Sequence, residues 1–282
     1  MVAVPNPARR LTRREHDGFP RHMAHSAPAT AESFGERRTR MAATDFIERY
    51  AGGEYQQVWQ ELIALGDRVR EEPYWSEARA VANETMRRVR ENVGRLIPRL
   101  EHIGYRFARD RPGLIGDSQP PHVPPDGNEP ELIDDYERRF GVTVPLSLRA
   151  FYEVVGAVDL RGRHPDWRGQ QDPLQIYGLD MTRNDASGWD GPVEKIFLCP
   201  CPLMKDGYSG VGPLYLEPGR AADGPVGFEG GSMSFTFVEY LRNAFRWGGF
   251  AGCVQTEDEF ASDWLELPST ARSQLAADLM PL

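Results

Sequence analysis

The chain has 282 residues, 40% of them hydrophobic, enough to bury a core in one large domain or two modest ones. Its formal charge of -9 argues against a general nucleic-acid binder, because phosphate contacts need a surplus of Lys and Arg on one face. Three cysteines, Cys199, Cys201 and Cys253, are too few and too oddly spaced for a disulfide framework and suit a reducing compartment, the cytoplasm. No apolar run approaches the roughly 20 residues that cross a bilayer, and the N-terminus lacks the apolar stretch of a signal peptide.

Residues 1 to 42 carry eight arginines against four acidic residues, with scattered Pro, Ser and His and no apolar periodicity. That composition predicts a disordered basic arm, and Met23 or Met41 is as good a translation start as Met1. Setting the arm's +4 aside leaves about -13 on residues 43 to 282. The region 43–108 reads as helical. Phe46, Tyr50, Tyr55, Val58, Trp59, Leu62 and Ile63, interrupted by Gly52-Gly53, fit one short helix and one longer one. Glu71-Glu72-Pro73 breaks the chain, and Ser76 is placed to cap a helix running toward Ile103. Its apolar positions Val81, Met86, Val89, Val93, Leu96, Ile97, Leu100 and Ile103 form one stripe that needs a partner, the preceding shorter helix being the nearest. The opposite face, with Glu84, Arg87, Arg88, Arg90, Glu91 and Arg95, is expected to be solvated. Pro98 is expected to kink or end the regular helix, and Gly104 to cap it. Residues 109 to 128, rich in Pro and Gly, read as a linker or extended wrap.

A second unit begins at Asn128, where a capping box with Glu131 is expected. Leu132, Ile133, Tyr136 and Phe140 share one face of a helix that Gly141 stops, while Glu131, Asp134, Asp135 and Glu137 crowd the other faces. After Val142-Thr143-Val144-Pro145, a second helix aligns Leu148, Phe151, Tyr152 and Val155 and stops at Gly156. Short β-like runs follow at Leu174–Leu179, Val193–Cys199, Val211–Glu217 and Pro225–Glu229, then a helix opening near Ser234 with Val238, Leu241 and Phe245 and ending at Gly248-Gly249. Residues 251–282 read as a tail with Trp264 as an anchor.

The stretch ELIDDYERRFGVTVPLSLRAFYEVVGAV, an acidic amphipathic helix, a glycine, a hydrophobic-Pro step, a helix with a central aromatic and a closing Gly, resembles the opening of SMI1/KNR4 (SUKH) domains. The strands, the Ser-Phe helix and the glycine exit follow the same order, so the resemblance covers 129–250, under half the chain. One departure is Val155-Gly156, where the family often has Asn-Gly. The resemblance implies an α+β fold, a mixed or antiparallel sheet flanked by helices, here preceded by the helical region. It also implies a protein-binding module, as in bacterial immunity proteins that neutralise toxins, often nucleases, by direct contact.

Reactive constellations are thin by comparison. Cys199-Pro200-Cys201 has the wrong spacing for zinc, so no metal or other cofactor is expected. Ser209 lacks the glycine at Val211 that a nucleophile elbow needs, and Gly210-Val211-Gly212 lacks the third glycine of a dinucleotide site. His16, His22 and His25 fall in the arm, and His102, His122 and His164 neighbour no nucleophile in sequence. What remains is a binding surface: the carboxylates Glu131, Asp134, Asp135 and Glu137 with the aromatics Trp167, Tyr177 and Trp189 of the turn-rich segment 159–191. Such a surface suits a basic protein partner, not nucleic acid or membrane. The first reading is therefore a cytoplasmic immunity protein; a regulatory scaffold with several clients and an uncharacterised hydrolase are the alternatives.

Overall fold

The computed structural model describes residues 45–107, 120–167, 172–180, 182, 195–199, 214–228, 231–250 and 267–282. They form an α+β structure. Helices α1 (Phe46–Ala51) and α2 (Tyr55–Ala64), a 3-10 turn (Gly66–Arg70) and the long α3 (Tyr74–His102) come first. Strands β1 (Arg106–Phe107) and β2 (His122–Val123) precede α4 (Glu129–Phe140) and α5 (Leu146–Val154). Then come β3 (Ala157–Asp159), β4 (Gly162–Arg163), β5 (Gln175–Ile176), β6 (Ile196–Cys199), β7 (Leu214–Leu216), β8 (Pro225–Phe228) and β9 (Gly231–Thr236). Helices α6 (Phe237–Arg246) and α7 (Ser269–Ala276) complete the order.

Every strand pair is antiparallel: β1 with β4, the order β2-β3-β5, and the order β6-β7-β8-β9. The Tyr177 amide donates to the Leu198 carbonyl at 2.8 Å and stitches the end of β5 to β6. Helix α3 lies in the middle of the molecule. Its stripe Val81, Met86, Val89, Val93, Leu96 and Leu100 is fully buried, and its most extensive helical neighbour is α5. The front half therefore shares one continuous core with the sheet region, in which Leu148, Phe151, Tyr152, Ile176, Leu198, Phe237 and Leu241 also sit. Arg70 ties the same halves by polar contacts: its Nη2 donates to the Val144 carbonyl at 2.7 Å and its Nε to the Arg220 carbonyl at 2.9 Å.

Several expectations are corrected. The main partner of α3 is not α2, although Trp59 of α2 does donate through Nε1 to the Thr85 hydroxyl at 3.1 Å. The helix starts at Tyr74 with Pro73, not Ser76, at the cap position, and Glu72 just before it accepts from the Ser76 hydroxyl at 2.8 Å and its amide at 3.4 Å. It also runs through Pro98 to His102. The ring is tolerated because Pro98 and Gly94, whose carbonyl it leaves without a helical donor, both face solvent. Gly104 closes the helix as expected, with its amide on the Glu101 carbonyl and that of Tyr105 on the Leu100 carbonyl.

Asn128 makes no side-chain cap on α4; instead Glu129 folds back to accept the amides of Asp126 and Gly127, each at 2.8 Å. A capping box does occur at α6, where Thr236 accepts from the Glu239 amide and Glu239 accepts from the Thr236 amide. Ser234, the expected start, belongs to β9 instead. Within the stretch expected to be a linker, His122 and Val123 pair with Val158 and Ala157. Gly156 permits this: it sits at φ +90, and a Cβ there would lie 2.2 Å from the Val123 carbonyl oxygen. The expected tail contains α7, and its Leu275 and Leu282 are buried.

Candidate functional site

The acidic helix α4 has two faces with different fates. Ile133, Tyr136 and Phe140 point into the core, and burial pushes the Tyr136 hydroxyl up to about 12. On the outer side, Asp134 and Glu137 are drawn together by Arg149 of α5. Its Nη2 lies 2.5 Å from Asp134 Oδ1 and 3.2 Å from Glu137 Oε2, and its Nη1 reaches Glu153 at 3.4 Å. Burial pulls the Arg149 guanidinium down and these carboxylates pull it up, with a net rise. The other Glu137 oxygen accepts the Val144 amide at 2.7 Å, so this side chain fixes the α4–α5 connection. Asp135 pairs with Arg138 at 3.6 Å across one turn, and Glu131 is exposed, with no ion pair among the described residues. Of the four carboxylates expected to face a partner, Asp134 and Glu137 are thus tied to Arg149, the Asp134 side chain remaining 63% exposed, while Glu131 is exposed and the Asp135 side chain is 49% exposed.

The aromatic candidates lie elsewhere. Trp167 is half-buried, stacked on His164 at 4.8 Å and packed against Tyr105 and Phe250. It belongs to an aromatic cluster at the end of α3. Tyr177 is also half-buried, on the β5–β6 seam against Phe197 at 5.5 Å. Trp189, like Cys201, Cys253 and Ser209, lies outside the described residues. No described contact links Trp167 or Tyr177 with the α4 carboxylates.

Both ring nitrogens of His164 are committed. Its Nδ1 accepts the Asp166 amide at 3.1 Å, which leaves Nε2 to donate to the Ile103 carbonyl at 2.7 Å. His122 is held to the Val155 carbonyl at 2.8 Å, and Cys199 is buried at the end of β6. Ser147 donates to Asp223 at 2.6 Å, but Asp223 also accepts the Gly224 and Val238 amides, each at 3.0 Å, and the pair is fully buried. Burial pushes the Asp223 carboxyl up and these donors oppose it, with a net rise. The group ties the first turns of α5 and α6 together. At the end of β3, Asp159 takes Arg161 side-on, with Nη2 at 2.7 Å and Nε at 2.9 Å from its oxygens. Among the described residues no group of three His, Cys, Asp or Glu side chains is placed to hold a metal ion, and no helix is long and apolar enough to cross a membrane.

A feature with no counterpart in the sequence reading is a polar ladder on α3. Asn92 Nδ2 donates to the Met280 carbonyl at 2.9 Å, and Asn92 Oδ1 accepts the Met280 amide at 2.7 Å. Arg88 Nη1 donates to the Pro281 carbonyl at 3.1 Å, and Arg95 to that of Asp278. Arg99 donates to the carbonyls of Leu275, at 3.0 Å, and Ala277. Arg242 of α6 completes the set with Nε on the Leu282 carbonyl at 2.8 Å. The guanidinium of Arg88 also sits 5.0 Å and 4.7 Å from the ring centres of Tyr50 and Tyr55. Two of the six charged residues expected to be solvated, Arg88 and Arg95, therefore hold residues 278–282, a strap that follows α7. Their spacing with Asn92 and Arg99 at i, i+4, i+7 and i+11 was the available signal. No protein-family model, curated protein or solved structure matches the chain.

Proposed function

We propose that this chain is a non-catalytic protein-binding module of the SMI1/KNR4 kind, an immunity protein that neutralises a basic toxin, such as a nuclease, in the cytoplasm. The observation that carries the reading is the outer face of α4. From Glu129 to Glu137 the helix has five carboxylates, followed by Arg138 and Arg139 in its last turn, and its opposite side is anchored by Ile133, Tyr136 and Phe140. Rigid backing holds the outward carboxylates of Glu131 and Asp135 in place, so a basic partner is steered by charge without a large ordering cost. A nuclease's nucleic-acid site has the complementary charge. The order of elements adds support: the acidic helix, the Pro145 step, the central Phe151-Tyr152 pair, the closing Gly156, then antiparallel strands and the Thr236-Phe237 helix.

The test is capture by the tagged full chain from cells that produce it, at low and high salt, with bound proteins identified by mass spectrometry. One dominant basic protein, lost at high salt and in the Glu131→Arg/Asp135→Arg chain, is the expected result. A spread of weak clients would favour the scaffold reading. Capture insensitive to both salt and charge reversal would remove α4 as the binding face.

A further inference from the structure

The strap is held through its main chain and through Leu282, which is buried in the core, with Leu279 packed against it. Arg88, Asn92, Arg95, Arg99 and Arg242 reach the carbonyls of Leu275, Ala277, Asp278, Met280, Pro281 and Leu282, and Asn92 takes the Met280 amide as well. The paired contacts of Asn92 reproduce what a neighbouring strand would offer. Of the strap's side chains only Leu282 is buried; Leu279 and Met280 are half-buried, and Asp278 and Pro281 are exposed. The strap leaves α7 at Asp278, which has φ +55, the one positive φ among the described non-glycine residues. Across from the strap, which covers them, Asn92 is fully buried and Arg88 is 7% exposed, on a helix packed on the core.

We propose that this groove is a peptide-binding site, filled in cis by 278–282. Its partner is an extended segment of another protein, with apolar side chains at the places of Leu279 and Leu282, that displaces the strap by rotation at Asp278. Main-chain recognition means that any extended chain of that pattern makes the same polar contacts, while the apolar positions set preference. The strap's tether gives it the advantage of high local concentration, so the incoming segment gains entry where the strap is weakened or itself engaged. The site lies on α3 and α6, and it stands independently of the reading of α4.

The probe is a fluorescein-labelled peptide with the sequence of residues 275–282. The full chain carrying Leu279→Ala and Leu282→Ala keeps the groove and weakens its cis occupant. Fluorescence anisotropy is expected to show saturable binding at least tenfold tighter than to the unaltered full chain, and Asn92→Ala added to the weakened chain is expected to abolish it. In the unaltered chain, hydrogen exchange is expected to be faster at the Met280 amide than at the amides of α3. The proposal is overturned if the weakened chain, with α3 still protected from exchange, binds no peptide, or if binding persists in Asn92→Ala. It is equally overturned if the Met280 amide exchanges only together with α3, since the strap is then a permanent part of the core.

Discussion

Helices α3 and α4 both present runs of charge opposite an apolar stripe, and by pattern alone the two faces are equivalent. In the fold they are not. On α3, Arg87 and Arg90 face water and Glu84 and Glu91 are half-buried, while Arg88, Asn92, Arg95 and Arg99 turn toward another stretch of the same chain and satisfy its carbonyls. On α4, a single guanidinium from α5 gathers Asp134 and Glu137, Glu129 folds back on the preceding amides, and Glu131 is left outward. A charge run is assigned by what lies across from it, and that is a tertiary fact.

The largest break in this comparison is expected at Arg88→Ala. The change removes a nearly buried cation from between Tyr50 and Tyr55 and deprives Pro281 of its donor, and should lower stability by about 3 kcal/mol in urea unfolding. Arg149→Ala acts on the other helix. It leaves Asp134, Glu137 and Glu153 without their shared cation and should cost about 2 kcal/mol, with α4 detaching first in hydrogen exchange. If Arg149→Ala proved neutral, α4 would be held by Ile133, Tyr136 and Phe140 alone.

The parts of the fold that were legible are those whose signals are local. Helices α4 and α5 could be placed from the spacing of Ile133, Tyr136 and Phe140, then of Leu148, Phe151, Tyr152 and Val155, each run closed by a glycine. The strap was not legible, because the residues that hold it, Arg88 through Arg99, lie some 180 positions away, and their shared face at i, i+4, i+7 and i+11 does not say what covers it. Helix α7 was weakly signalled by Ala271 and Leu275 at i, i+4 after Pro268. Its docking depends on Gly248, at φ +68, where a Cβ would lie 2.6 Å from that of Leu275. Trp167 had been taken for a surface anchor because its neighbours in sequence are polar, whereas its neighbours in space are Tyr105, His164 and Phe250. The Thr236-x-x-Glu239 capping box could have been read and would have set the start of α6 at Phe237, three residues past Ser234.

A smaller effect should come from acid. Hydrogen bonds from Arg87, opposed by burial and joined by those from Arg88, hold the Glu84 carboxyl down at about 2, well below its ordinary value of 4.5. A carboxylate depressed in the fold contributes stability that is present above the ordinary value and is lost as pH falls from about 4.5 through about 2. Glu84→Gln should therefore lower stability by about 1 kcal/mol at neutral pH and flatten the dependence of the unfolding midpoint over that window. An unchanged slope would mean that Arg87 and Arg88 find other partners as readily in the unfolded chain.

The smallest effect on stability separates the two halves of the acidic face. Glu131→Arg and Asp135→Arg reverse charges directed to solvent. Asp135 gives up its 3.6 Å pair with Arg138, in which the side chains are 49% and 71% exposed, so each change should move stability by under about 0.5 kcal/mol. Asp134→Arg places a second cation against Arg149 in place of a 2.5 Å pair, and should cost about 1 kcal/mol. If the outer face is for binding, loss of partner capture should follow Glu131 and Asp135 with stability untouched, while Asp134→Arg lowers both. Equal behaviour of all three in stability and capture would erase the division between bracing and outward carboxylates, and with it the reason for reading α4 as a prepared surface.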